Sequence, residues 1–333
     1  MADLKTTYMG IGLNNPVMVS SSGITGRIDG IRRCAEAGAG AVVLKSMFEE
    51  IISAQAEELD RELVKSEHPE AYDYITAEFG MQMGSKPYLK FIGDAKRAVP
   101  IPIIASINCI TPKWWVPYAK HIESSGADGL ELNITHFPEE SGVSSGDIEQ
   151  RYADIVSEVT GTISIPVAVK LSSQFTAPLN VMRAVAGAGA QALVLFNRFY
   201  SVDVNIESRL FINTMVFSSS REMSLPLRWI GLARENLDCS IAGSTGVHDD
   251  QAVLKMIMAG ADVVQLCSAL YMRGVDYIGK VLDWLDQWLT ENSFASIADV
   301  RGAALKNTKE PNILLKRVQY LKALNEASEY KFE

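Results

Sequence analysis

Four times along this chain a helical pattern breaks at a small residue and a glycine, and an almost unbroken apolar run follows at once. The four copies are Ala37-Gly38-Ala-Gly-Ala-Val-Val-Leu-Lys45, Ser125-Gly126-Ala-Asp-Gly-Leu-Glu-Leu-Asn133, Ala188-Gly189-Ala-Gln-Ala-Leu-Val-Leu-Phe-Asn197 and Ala259-Gly260-Ala-Asp-Val-Val-Gln-Leu-Cys267. Glycine suits the position just past a helix end, where the chain turns left-handed. The runs that follow are too apolar for a sheet with one wet face, so they predict parallel strands covered by helices. Intermediate strands are predicted at Val17-Met-Val-Ser20, Ile103-Ile-Ala-Ser-Ile107, Pro166-Val-Ala-Val-Lys170 and around Ile241. Pro100, Pro102 and Pro166 fall just before strands, where a missing N–H breaks no central ladder bond.

Strands near residues 17, 42, 103, 129, 167, 192, 240 and 263, separated by helical segments, predict a (β/α)₈ TIM barrel forming one domain over residues 1–333. An open doubly wound sheet is the alternative, weakened by the lack of GxGxxG near the first strand. Three connections are long: Ser46 to Gly84, rich in acids; Thr135 to Gly146, rich in serine and glycine; and Arg198 to Leu225. All three follow strand C-termini, the face where barrel sites are built, so they read as site walls and lids.

Composition narrows the function. With 31 Lys and Arg against 40 Asp and Glu the net charge is −9. That balance, with no basic run, argues against a nucleic-acid or anionic-membrane surface. No segment has the length and apolarity of a signal peptide or membrane span, which predicts a cytoplasmic protein. Cys34, Cys109, Cys239 and Cys267 have no metal-ligand spacing and read as reduced thiols.

The strand ends carry the candidate chemistry. Gly243-Ser244-Thr245-Gly246 and Cys267-Ser268-Ala269 close two adjoining strands with small residues, whose N–H groups and hydroxyls suit a phosphate dianion. The plainer reading is a pair of tight turns. Lys45 and Lys170 end the second and fifth strands, where a lysine needs an anion, either a ligand or a salt bridge to an acid such as Glu131. Asn133 and Asn197 supply amides that can read a ring edge. A phosphate tail and a polar planar ring would use all of these, and flavin mononucleotide (FMN) fits. A lysine near the ring would stabilise the anion that builds when hydride arrives.

These residues together resemble the dihydroorotate dehydrogenases, particularly the cytosolic class 1 branch, over almost the whole chain. The resemblance rests on Ser21-Ser22-Gly23, Leu44-Lys45-Ser46, Glu131-Leu-Asn133 and Val169-Lys170-Leu171. It continues through Gly243-Ser-Thr-Gly-Val247 and the Ala259–Leu270 run. It implies FMN held by Ser21, Gly23, Lys45, Ser46, Asn133, Lys170 and Asn197, with its phosphate on Gly243, Gly246, Cys267 and Ser268. It also implies a small-molecule substrate met by Lys45, Met83, Gly84, Lys86, Asn133 and Asn197. A soluble electron acceptor or a separate redox partner would reoxidise the flavin, and the class suggests a homodimer.

The chain departs from the family in two loops. Where class 1 members read Asn-Leu-Ser-Cys-Pro-Asn, this chain reads Asn133-Ile-Thr-His-Phe-Pro138, which sets His136 at the position of the catalytic cysteine. Imidazole is a competent base near neutral pH, so His136 is the expected base, with Thr135 as the weaker candidate and Lys45 beside them. The family's Met-Gly-Leu-Pro-Asn segment appears as Met83-Gly-Ser-Lys-Pro87, without the orotate-reading asparagine. Dihydroorotate or another cyclic substrate with an oxidisable CH–CH bond therefore fits. Two other readings remain: a flavin-free phosphate-binding aldolase or isomerase using Lys170, and an FMN-binding barrel without dehydrogenase activity.

Overall fold

A computed structural model describes residues 2–49, 86–109, 112–135, 141–199, 201–214, 217–307 and 315. Eight strands form the barrel: β1 (Val17–Val19), β2 (Ala41–Val43), β3 (Ile103–Asn108), β4 (Gly129–Asn133), β5 (Val167–Leu171), β6 (Ala192–Leu195), β7 (Ser240–Gly243) and β8 (Val263–Leu266). Each pairs in parallel with the next, and β8 pairs with β1, so the sheet closes without a free edge. The helices between them are α1 (Ile28–Glu36), α2 (86–98), α3 (Pro112–Ser124), α4 (Ser145–Thr160), α5 (Pro178–Gly187), α6 (Ser224–Arg234), α7 (Asp250–Ala259) and α8 (Tyr277–Glu291). The (β/α)₈ expectation is the observed fold, and every expected strand is present.

The structure explains why the Gly-Ala repeat recurs. Gly38, Gly126, Gly189 and Gly260 all have positive φ, as a helix-ending glycine requires. In three copies, the residue two places beyond the glycine grips the first residues of the preceding strand with backbone and side chain at once. The Asp128 N–H donates to the Ile103 carbonyl, while the Ile103 N–H donates to Asp128 Oδ2 at 2.7 Å. Gln191 does the same to Val167, and Asp262 to Ile241, with side-chain bonds of 2.8 and 2.7 Å. In the first copy Gly40 supplies only the backbone half, and Asn15 Oδ1 accepts the Val17 N–H instead.

Strand alternation separates two cores. Outward residues such as Val17, Val42, Leu132, Val169 and Leu193 pack under the helices. Inward residues, including Met18, Ala41, Val43, Ile104, Ala168, Ala192, Ala242 and Val263, fill the lower barrel. An antiparallel hairpin of Thr6–Tyr8 and Ile11–Leu13 plugs the bottom with Tyr8, Met9 and Leu13. The inward alanines leave room for that plug. After β2, Met47 and Phe48 add a short parallel extension beside Ile107 and Asn108. The rest of the acidic Ser46–Gly84 connection lies outside the described residues, apart from Ser46 and Glu49. The third long connection forms a hairpin, Ser201–Asn205 with Leu210–Thr214. Beyond α8 follow two short helices, Ile297–Val300 and Ala303–Asn307. Among the described residues no helix is long and apolar enough to cross a membrane.

Asp262 has the most to do in this frame. Its buried carboxylate bonds Arg234 from α6, lies 3.1 Å from Arg301 in the C-terminal segment, and accepts the Ile241 N–H. Its carbonyl accepts from Thr6 of the bottom plug. Removing it takes the carboxylate from two guanidinium groups, which keep only the Gly260 carbonyl and the Thr6 hydroxyl, and leaves the Ile241 N–H without its acceptor. We expect Asp262→Ala to destabilise the fold by about 3 kcal/mol, read as a lower denaturant midpoint with unchanged slope. A change within about 0.5 kcal/mol would make the cluster ornamental.

Candidate active site

The upper barrel interior holds polar residues. By the same alternation Glu131, Lys170 and Gln265 point inward one layer above the alanines, and Ser20 joins them from the end of β1. The Lys170 Nζ donates to Ser20 Oγ at 3.2 Å, and the Ser20 hydroxyl donates to Gln265 Oε1 at 3.1 Å. The Gln265 amide donates to Glu131 Oε2 at 2.7 Å, and Glu131 Oε1 lies 3.7 Å from Lys170 Nζ. The ring is closed, all four residues are buried, and the salt bridge considered for Lys170 is present.

Above this ring lies a cleft open to solvent at its mouth. Its walls are Ser20, Ser21, Lys170 and Gln265 below, Asn197 and Arg198 after β6, Ser218, the Ser244–Val247 loop, and Cys267 with Ser268. Two cations and many hydroxyls line it, and among the described residues no carboxylate does. Ser244 N–H is used by the Leu195 carbonyl, but the N–H groups of Thr245, Gly246 and Val247 donate to no described carbonyl. The loop's shape is enforced. Gly246 has φ +77°, and a Cβ there would stand 2.2 Å from the backbone nitrogen of Met223.

The sequence-predicted residues distribute as follows. Ser21, Lys170, Asn197, Gly246, Cys267 and Ser268 line the cleft. Asn197 donates its amide to Asn133 Oδ1 at 3.0 Å and to Thr135 Oγ1 at 3.4 Å, so those three converge on one edge. Ser46 is buried behind Ser21, whose hydroxyl accepts its N–H, and its own hydroxyl bonds Ser106 at 2.7 Å. Gly23 packs under the Tyr271 hydroxyl, which a Cβ would approach to 2.7 Å. Gly243 faces Ile230 and Met256 in the helical layer. Lys45 is exposed, its stem lying over Gly26, and Lys86 is exposed at the start of α2. His136, Met83 and Gly84 lie outside the described residues.

This geometry can be set beside known proteins. Residues 3–289 match the family described as dihydroorotate dehydrogenase. The chain belongs to the dihydroorotate dehydrogenase family. Members of this family are FMN-dependent oxidoreductases that act on CH–CH bonds in pyrimidine biosynthesis. Among its relatives is a protein of Thermoplasma acidophilum named dihydroorotate dehydrogenase B (NAD(+)), catalytic subunit, 27% identical over 92% of this chain and 100% of the relative. A protein of the same name from Methanocaldococcus jannaschii is 28% identical over 90% of this chain and 98% of the relative.

Two further side chains of this dihydroorotate dehydrogenase family member stand at the cleft, Ser218 and Arg198. Ser218 donates its N–H to Ser268 Oγ at 3.0 Å, and its hydroxyl lies 3.0 Å from His248 Nε2 and 3.2 Å from Ser268 Oγ. Arg198 reaches back to Glu222 at 2.6 Å. Neither Ser218 nor Arg198 was a sequence candidate. Arg198 follows Asn197 directly and was within reach of the reading, whereas nothing local marks Ser218. Burial pushes the Cys267 thiol up, and nearby Lys170 only partly offsets this, so Cys267 is a neutral wall.

Burial acts to raise the Glu222 carboxyl, but hydrogen bonds from Arg198 and Ser219 outweigh it and hold the group below its ordinary value. A depressed carboxyl contributes stability that is full above its unfolded-state pKa and disappears as pH falls through the folded one. We therefore expect wild type to exceed Glu222→Gln in stability at neutral pH and the two to converge in acid. Parallel stability curves from pH 7 to pH 3 would show that the pair contributes nothing.

Proposed function

We propose that this chain holds FMN in the cleft and oxidises dihydroorotate, or a closely related cyclic substrate, in the cytoplasm. The observation that carries the reading is a cleft built at the ends of β1, β6, β7 and β8, whose described walls hold two cations and many hydroxyls and no carboxylate. That donor set suits a phosphorylated polar ring. Bound FMN supplies the hydride acceptor. The Thr245–Val247 N–H groups, Ser218, Ser268 and Arg198 hold the phosphate. Lys170, the cation of the buried ring, faces the cleft and would balance negative charge developing on the flavin. The linked amides of Asn133 and Asn197 orient substrate, with Lys45 closing from the rim. His136, the residue directly after Asn197's partner Thr135 in the order Asn133-Ile-Thr-His, takes the proton from the substrate carbon.

The relatives' shared name, catalytic subunit, supports a further protein for electron transfer, and the four dispersed cysteines offer no iron–sulfur site of the chain's own. A soluble acceptor or separate redox protein therefore reoxidises the flavin. Association with a second copy is the reading we favour for the hairpin of the third long connection. Val204 stands opposite Phe211 on one face, with Leu210 and Ile212 on the other. Ile206 is 82% and Phe211 81% exposed. An isolated two-stranded ribbon is marginal in water, and one this apolar fits a protein contact.

The purified protein is expected to show flavin absorbance bands, which anaerobic dihydroorotate bleaches. His136→Ala is expected to slow that bleaching by about 10²–10⁴-fold while leaving the bands in place. Bands that never form, even after reconstitution with FMN, would sink the cofactor assignment. Bands that dihydroorotate leaves unbleached would move the substrate elsewhere, and unchanged kinetics in the variant would remove His136 from the chemistry. Light scattering after size exclusion should give a dimer for wild type and a monomer for Phe211→Asp. Wild type that is monomeric at micromolar concentration would refute the second-copy reading.

A further inference from the structure

The ring beneath the cleft contains a group that the proposed chemistry does not use. Glu131 is 1% exposed, and its two oxygens differ. Oε2 accepts from Gln265, while Oε1 is buried, accepts no hydrogen bond, and faces Lys170 Nζ at 3.7 Å. That distance is too long for a charge-assisted hydrogen bond but short for Coulomb attraction in a medium where solvent screens little. Gln265 is what keeps it long. Its amide holds Oε2, and its own oxygen is held by the Ser20 hydroxyl, so the carboxylate is restrained from turning onto the ammonium. Lys170 spends one described hydrogen bond on Ser20 and keeps the rest of its donors for the cleft that it lines.

We infer that Glu131 is a positioning residue that sets how much of the Lys170 charge reaches a ligand in the cleft. A carboxylate behind the ammonium, held at a fixed remove, weakens the field on the cleft side without cancelling it. An anion bound over Lys170 is stabilised less than a lone buried lysine would allow. The inference rests on the flavin reading above, in which that anion is the reduced cofactor. Glu131 would then act on the balance between reduced and oxidised cofactor and have little effect on uptake of the oxidised form.

The test is a redox titration of FMN-loaded protein, with oxidised FMN affinity measured alongside. Glu131→Gln removes the charge and keeps the shape. It should favour reduced over oxidised FMN at least tenfold relative to wild type, a rise of about 30 mV for a two-electron couple, with oxidised affinity nearly unchanged. Gln265→Met releases the carboxylate to close on Lys170 and should shift the potential downwards. This opposite sign is not what general loosening of the barrel would give, and it carries the test if Glu131→Gln fails to fold. In a Lys170→Met background the Glu131→Gln shift should vanish. FMN-loaded variants with the wild-type potential, or a shift that survives loss of Lys170, would overturn the inference alone. Wild type that takes up no FMN would overturn it together with the reading on which it rests.

Discussion

A closed barrel has to fix each strand's height against its neighbour, and at three of the four Gly-Ala repeats that constraint is met by one small device. A helix ends in a left-handed glycine, and two residues later an Asp or Gln takes both the carbonyl and the N–H of the preceding strand's first residues. Each clamp fixes the register of two strands, and a shift of one residue would turn a strand's inward set outward. The polar ring above depends on this. Glu131, Lys170 and Gln265 meet because β4, β5 and β8 start at the heights the lower barrel imposes.

The molecule is therefore divided along its axis. The bottom is sealed by the Tyr8–Met9–Leu13 plug and held by Asp262, which ties together the N-terminal hairpin, α6 and the C-terminal segment. The middle is apolar and filled. The top carries buried charge, which is costly unless paired and hydrogen-bonded, and its partners come from four different strands. Stability and chemistry thus occupy opposite ends of the same barrel, as is usual for this fold.

The sequence exposes the first of these more fully than the second. The Gly-Ala repeat and the apolar runs are local signals, so the strands and the two phosphate-type loops could be read directly. Gly246 looked like a ligand contact or a turn. The structure adds a third reason for it, since Met223 presses its backbone against that position. Contacts that depend on distance in the chain were hidden: Ser218 meets Ser268 across 50 residues, and Gln265 meets Glu131 across 134. Lys170 and Glu131 were named as a possible pair because both sit at strand ends. That Gln265 and Ser20 would complete a ring was invisible, because strand parity shows which residues face inward but not which touch. Gly243 shows the reverse case, a glycine in a phosphate-type loop whose missing side chain serves helix packing.

The exposed hairpin has a further consequence through its attachments. Its first strand begins three residues after Arg198 and its second ends four residues before Ser218, and both of those residues are cleft walls. Ordering either end of this loop restricts the other, and free-energy linkage is reciprocal. A ligand held by the cleft walls at Arg198 and Ser218 would in that sense also restrain the hairpin that those walls carry.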